Sequence, residues 1–224
     1  MTRVLNYQGK LINPLDLKMS DLKNIGMQSA ITLSRINRFW GQTREAYSVA
    51  QHVLSMVEEA QTNNLDEDIV LWCLLHETYE ALTGMDIPSP IKHSESMRDY
   101  REAENKCLEL VAHKYSIEKY EDVTIMKTLD KGAMLMEAEA LMPYNNEVNW
   151  RGASNIEPYG KLYKLGASEK EIREDFISKW YELLGTLTDI KNVCPFGDCF
   201  LKIISYSLLV GLIIRIFTFS LLYL

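Results

Sequence analysis

From about residue 20 to residue 188 the apolar side chains recur at intervals of three and four, and this period restricts the chain to helices packed on helices. It predicts helices over about 20–37, 45–62, 67–83, 93–115, 118–142 and 169–188. Local end signals agree: Ser20 precedes the first helix, Pro143 closes the fifth, and Ser168 with Glu171 three residues later forms a capping box before the last. Ahead of these, the stretch from Arg3 to about Leu17 carries Gly9, Asn13 and Pro14 between short apolar runs, as an extended arm or small hairpin would. Between Pro143 and Gly166 the chain is rich in Asn, Gly and aromatics without a period, which predicts a long ordered loop near the site. The expected fold is an all-α, compact helical bundle with a short extended N-terminal arm. At 224 residues the chain has room for one domain, taken as 1–190, then a linker over 191–202 and a tail over 203–224.

The tail differs in kind. Of its 22 positions only Arg215 is charged, and as a helix it would reach about 33 Å against a hydrocarbon core of about 30 Å. Arg215 near its middle would oppose insertion by about 2.5–3.5 kcal/mol. Three readings stand: a C-terminal membrane anchor, an apolar helix packed on the body, or a tail that plays no part in the body's activity. The four cysteines, Cys73, Cys107, Cys194 and Cys199, show no paired spacing in the body and no signal peptide precedes them, so a reducing, cytoplasmic setting is expected. Cys194 and Cys199 flank a turn-like Pro195-Phe196-Gly197-Asp198 and are read as parts of a plain loop.

Charge narrows the partners. The formal net charge is −7, and because residues 200–224 hold Lys202 and Arg215 but no acid, residues 1–199 carry −9. Such a body is a poor match for duplex nucleic acid. A small phosphorylated ligand stays admissible, because an ion and a few local cations neutralise it inside one pocket.

Chemistry is concentrated where an apolar helix abruptly turns polar, in Leu71-Trp72-Cys73-Leu74-Leu75-His76-Glu77-Thr78-Tyr79-Glu80. Buried charge is costly unless paired or bound to a metal. On a continuous helix His76 and Glu80 share a face and Glu77 is turned by about 100° from His76, near enough for one cavity. A zinc-protease pattern would need a second histidine four residues after the first, and Glu80 stands there instead. His52, in Tyr47-Ser48-Val49-Ala50-Gln51-His52, lies on the preceding helix among Val49, Val53 and Met56, and an antiparallel neighbour joined by a short loop would set it opposite His76.

Taken in order, these pieces resemble the HD-domain phosphohydrolases, and among them the small nucleotide hydrolases of bacteria and phages. Arg38-Phe39-Trp40-Gly41-Gln42-Thr43 followed by His52 resembles the family's arginine-aromatic motif and first metal histidine. His76 through Lys92, with Gly84, Asp86 and Pro88, resembles its His-Asp segment and continuation. Thr128-Leu129-Asp130-Lys131, then Glu137-Ala138-Glu139, is similar to the helix bearing its last metal aspartate. The likeness runs over about residues 5–190.

That resemblance implies His52, His76, Glu77 and Asp130 as ligands of one divalent ion (Mn, Co, Zn, Mg or Fe). It implies Glu80 as the catalytic acid, Asp86 as a second active-site carboxylate, and Arg38 and Lys92 as phosphate contacts. Trp40 beside Arg38 would stack on a base or pack against a sugar face lacking a 2′-hydroxyl. The expected activity is removal of phosphate from deoxynucleoside mono- or triphosphates by an activated water. The opening Gln8-Gly9-Lys10 to Asn13-Pro14 is similar to phage members and favours triphosphates. One departure is plain: Glu77 stands where the family carries aspartate, keeping the charge but adding a methylene. The competing reading is a helical nucleotide-binding or interaction module, held at a membrane by its tail and without turnover. A homo-oligomer is compatible with either. His93 and His113 fall among Glu95, Arg98, Arg101 and Glu102 and are read as solvated.

Overall fold

The computed structural model describes residues 3–117, 123–152 and 155–185. Their fold is helical, with one two-stranded hairpin at the start. Strands β1 (Val4–Leu5) and β2 (Leu11–Ile12) pair antiparallel, with Val4 opposite Ile12, around a turn in which Gly9 takes φ +74°. The helices are α1 (Ile25–Leu33), α2 (Val49–Thr62), α3 (Glu67–Leu75), α4 (Thr78–Thr83), α5 (Ser89–Lys92), α6 (Arg98–Tyr115), α7 (Val123–Leu141) and α8 (Glu169–Leu184). The linker expected at 191–202, the tail at 203–224, and Cys194 and Cys199 lie outside the described residues. Among the described residues no helix is long and apolar enough to cross a membrane.

Side-chain capping explains most differences from the expected boundaries. The helix expected at 20–37 is shorter, because Met19–Leu22 closes as a 3-10 turn that Asp21 caps at Lys18, and α1 starts only at Ile25. The second begins at Val49 rather than 45, since Ser48 and Gln51 form a capping box. The helix expected from 93 instead starts at Arg98, because Arg101 draws the carbonyls of Lys92 and Ser94 to its guanidinium and bends the preceding chain. At α8 the Ser168–Glu171 box forms as expected, and Gly185 ends the helix with φ +60°.

The largest correction falls at the chemistry. The helix expected over 67–83 is two helices, interrupted at His76 and Glu77, with Glu77 at φ −91°, ψ 20°. Two side chains take up carbonyls of the last turn of α3: His76 Nδ1 lies 2.9 Å from the Cys73 carbonyl and Thr78 Oγ1 donates to that of Leu75 at 2.6 Å. Such local bonds compete with the helical ladder.

Helix α2 is the centre of the bundle, touching α1, α3, α7 and α8. Its residues Val49 through Val57 are all buried, and Val53, Leu54 and Met56 meet Cys73, Leu74 and Leu75 of α3 in one apolar cluster. Each such side chain contributes about 1.5–3 kcal/mol when fully buried. The loop after α7 is fastened through its own backbone. The Tyr159 amide donates to the Gly132 carbonyl at 2.9 Å, Ser55 Oγ donates to the Lys161 carbonyl at 2.6 Å, and Gln51 Nε2 donates to that of Tyr163 at 2.9 Å. Gly132 permits this approach, as a Cβ there would lie 2.6 Å from that of Tyr159.

Gly26 of α1 packs under Trp180 of α8, and a Cβ on it would meet the indole at 2.6 Å. Glycine to alanine inside a helix ordinarily stabilises by about 1 kcal/mol. Here the sign is expected to reverse: Gly26→Ala should lower stability by about 1–3 kcal/mol in urea unfolding, as overpacking does, and Trp180→Leu should relieve it.

Candidate metal centre

Three separate parts of the chain deliver their polar groups to one point. His52 comes from the middle of α2 and is fully buried; His76 and Glu77 come from the α3–α4 interruption; Asp130 comes from α7. The two Nε2 atoms are 3.3 Å apart, and Asp130 Oδ1 lies 3.3 Å from that of His52. One ligand atom from each of His52, His76 and Asp130 falls within 4.8 Å of the others. Glu77 Oε1 stands 3.7 Å from His52 Nε2 and 3.6 Å from His76 Nε2. The helix break makes this possible, since neighbours on an unbroken helix diverge by about 100°. Three of the four expected ligands, His52, His76 and Asp130, are therefore brought into one group, and Glu77 stands beside the two histidines. Asp130 is half-exposed, so the cluster opens to solvent on its side.

The donor set fits a divalent cation. Both Nδ1 atoms are engaged elsewhere, that of His52 with Glu137 Oε1 at 2.6 Å and that of His76 with the Cys73 carbonyl, which leaves both Nε2 atoms facing inward. Outer partners of this kind accompany metal-binding imidazoles. Two imidazoles on one ion at about 2.1 Å in tetrahedral geometry have nearly the observed nitrogen separation, and mixed imidazole and carboxylate donors suit Zn, Mn, Fe or Co.

Charge points the same way. The buried Arg38 guanidinium meets Glu137 Oε2 at 3.0 Å, Asp86 Oδ2 at 3.2 Å and Glu77 Oε1 at 3.9 Å. With Asp130, four carboxylates stand around one guanidinium and two imidazoles. Without an ion, protons make up the difference. Burial works against the His52 imidazolium, but Glu137 and Asp130 outweigh it and push the ring up to about 10. His76 is instead held below its ordinary value, chiefly by burial, with the charge of His52 adding to the effect. Burial raises the Asp86 carboxyl against the opposing pull of Arg38.

Arg38 reaches the cluster through a left-handed turn. Phe39, Trp40 and Gly41 take φ of +52°, +54° and +69°, which costs about 1–2 kcal/mol for each of the two aromatics. The turn sends Arg38 inward and Trp40 outward, where it is 56% exposed and its indole N–H donates to the Asp86 carbonyl at 2.8 Å. Glu80 and Lys92 form a neighbouring group. Lys92 Nζ bonds Glu80 Oε1 at 3.1 Å and Glu104 Oε1 at 2.7 Å, so its charge is already shared between two acids. Glu80 Oε2 is buried without a hydrogen-bond partner, and burial together with Glu77 raises the Glu80 carboxyl well above the usual carboxylate range. His93 and His113 are both exposed, as read.

Two residues given no role above prove central. Glu137 is fully buried between His52 and Arg38, and Glu104 holds Lys92. The first had a legible signal, since Glu137 lies seven residues, two helical turns, after Asp130 and on its face. Glu104 is marked by Tyr100, Cys107 and Val111 on the buried stripe of an otherwise charged α6.

No family model matches the chain. Over 140 residues, 57% of this chain and 70% of the relative, it is 29% identical to the uncharacterized protein YfdR of Escherichia coli (strain K12).

Metal binding should release protons. Between the lowered value of His76 and the value near 10 of His52, His52 is protonated and must lose that proton for Nε2 to donate to an ion. Calorimetry of Co²⁺ or Mn²⁺ binding at pH 7.5, in buffers of different ionisation enthalpy, should show close to one proton released per ion. Affinity should rise with pH, about tenfold per unit, and level off near pH 10; a pH-independent affinity contradicts this. Separately, Lys92→Met should destabilise the fold by about 3–5 kcal/mol in urea unfolding by leaving Glu80 and Glu104 unpaired. Adding Glu104→Gln should restore part of the loss.

Proposed function

We propose that this chain is a metal-dependent phosphohydrolase of the HD type, acting on nucleotides and foremost on deoxynucleotides. One observation carries the proposal: His52, His76 and Asp130 stand together, with Glu77 within 3.7 Å of both histidines, although they come from α2, the α3–α4 break and α7. Unrelated packing has no reason to gather two imidazoles and two acids at one point inside an apolar bundle, since burial of such groups is unfavourable without an ion or partners.

A divalent ion held by these four side chains would make water more acidic and polarise a phosphoryl oxygen. The remaining chemistry belongs to the chain. Arg38 is placed to meet the non-bridging oxygens of a phosphate, and Glu137 and Asp86 keep its guanidinium in position. Glu80, whose carboxyl burial and Glu77 raise well above the usual carboxylate range, would supply a proton to the leaving oxygen. Asp86 would accept a proton from the attacking water. Lys92, held by Glu80 and Glu104, adds positive charge to the phosphate side. Trp40, exposed beside Arg38 and tied to the Asp86 carbonyl, offers a flat face to sugar or base. The half-exposed Asp130 marks the side of the cluster from which substrate enters. A net charge of −7 supports small nucleotides rather than duplexes as ligands.

The test is a nucleotide screen. Full-length protein supplemented with Mn²⁺, Co²⁺ or Zn²⁺ is expected to release phosphate, pyrophosphate or triphosphate from at least one deoxynucleotide, with products resolved by phosphate number. His76→Ala should reduce turnover at least 100-fold, and a chelator should abolish it. Tight nucleotide binding with no turnover under any metal would instead establish the binding-module reading.

A further inference from the structure

We infer that Glu137 is a positioning residue that holds the metal-binding and phosphate-binding halves of the centre in register through one carboxylate. The inference rests on the metal-centre reading above and adds to it a residue and a coupling. Glu137 has no solvent exposure, and each of its oxygens serves a different partner. Oε1 lies 2.6 Å from His52 Nδ1, and Oε2 accepts from Arg38 Nε at 3.0 Å.

The consequence for His52 follows from the two faces of an imidazole. A carboxylate at Nδ1 holds a hydrogen on that nitrogen, which makes Nε2, 3.3 Å from both His76 Nε2 and Asp130 Oδ1, the nitrogen that can donate to an ion. Arg38 is fixed by the same means. With Nε tied to Glu137, the guanidinium plane is set and NH1 is left toward Asp86 at 3.2 Å and Glu77 at 3.9 Å. Because Asp130 and Glu137 are two turns apart on α7, the same helix supplies a ligand and the brace for another ligand.

A glutamine of the same size cannot replace this arrangement. It has one acceptor oxygen, and its amide hydrogens would face either Arg38 Nε or His52 Nδ1. A buried ionised carboxylate is expensive to retain, and here it meets two donors that only an acceptor-only group satisfies together. Loss of Glu137 should therefore weaken the ion and the nucleotide together, whereas loss of a single ligand or a single phosphate contact would weaken chiefly one.

The test uses the full chain and its Glu137→Gln and Glu137→Asp variants. Co²⁺ affinity is measured by calorimetry, the His52 ring by long-range ¹⁵N–¹H correlation, and KM and kcat on whichever nucleotide is turned over. For Glu137→Gln, Co²⁺ binding is expected to weaken by about 10–100-fold. The low-field Nδ1 proton of His52 should shift or disappear, and KM should rise alongside the weaker metal binding. Glu137→Asp, which keeps the charge on a shorter arm, should fall between. Wild-type Co²⁺ affinity and an unchanged Nδ1 resonance in Glu137→Gln would overturn the inference. If Glu137→Gln does not fold, wild-type values in Glu137→Asp do the same. A wild-type chain that binds Co²⁺ but hydrolyses no nucleotide would defeat the hydrolase reading while the first two measurements still decide the role of Glu137. A wild-type chain that binds no ion defeats both.

Discussion

Two imidazole nitrogens 3.3 Å apart, within a ring of carboxylates at the heart of an apolar bundle, need positive charge between them. Much of the rest of the fold answers that need. Arg38 meets part of it from the side, held to Glu137, Asp86 and Glu77. A proton on His52 meets more of it when no ion is present, and a divalent cation would meet it directly. Lys92, bound by Glu80 and Glu104, neutralises the adjoining acids. The helices contribute by excluding water from all but the Asp130 side of these groups, which strengthens each attraction and penalises each unpaired charge.

Regular secondary structure gives way at the places where this cluster is assembled. The α3–α4 interruption lets the consecutive His76 and Glu77 aim at one point. The left-handed turn at Phe39, Trp40 and Gly41 separates a buried Arg38 from an exposed Trp40 within three residues. Both departures carry local strain or lost ladder bonds, and both are held by side chains that take over backbone partners.

Much of this was legible in the residues themselves. The three-and-four period located the helices, and the polar intrusion at His76, Glu77 and Glu80 into an apolar run marked one part of the cluster. Its limits have physical causes. Period alone cannot see a helix break produced by a histidine nitrogen and a threonine hydroxyl competing for carbonyls, so His76 and Glu80 were expected on one continuous face. Glu80 instead turns to Lys92. The motif includes Glu137 but gives it no role, because its place two turns from Asp130 shows the shared face and not the convergence of His52 and Arg38 on it. Glu104 is the same case on α6, where charged neighbours concealed its inward face.

The loop after α7 is secured to Gly132, Ser55 and Gln51 through its carbonyls and amides, and to the body through the buried Tyr163 side chain, which bonds Asp175. Its course thus depends on a few positions, among them Gly160 at φ +84° against Ser55 and the buried Tyr163. Substitutions at its exposed positions, such as Tyr144 and Val148, can alter the surface there while leaving α2 and α7 undisturbed.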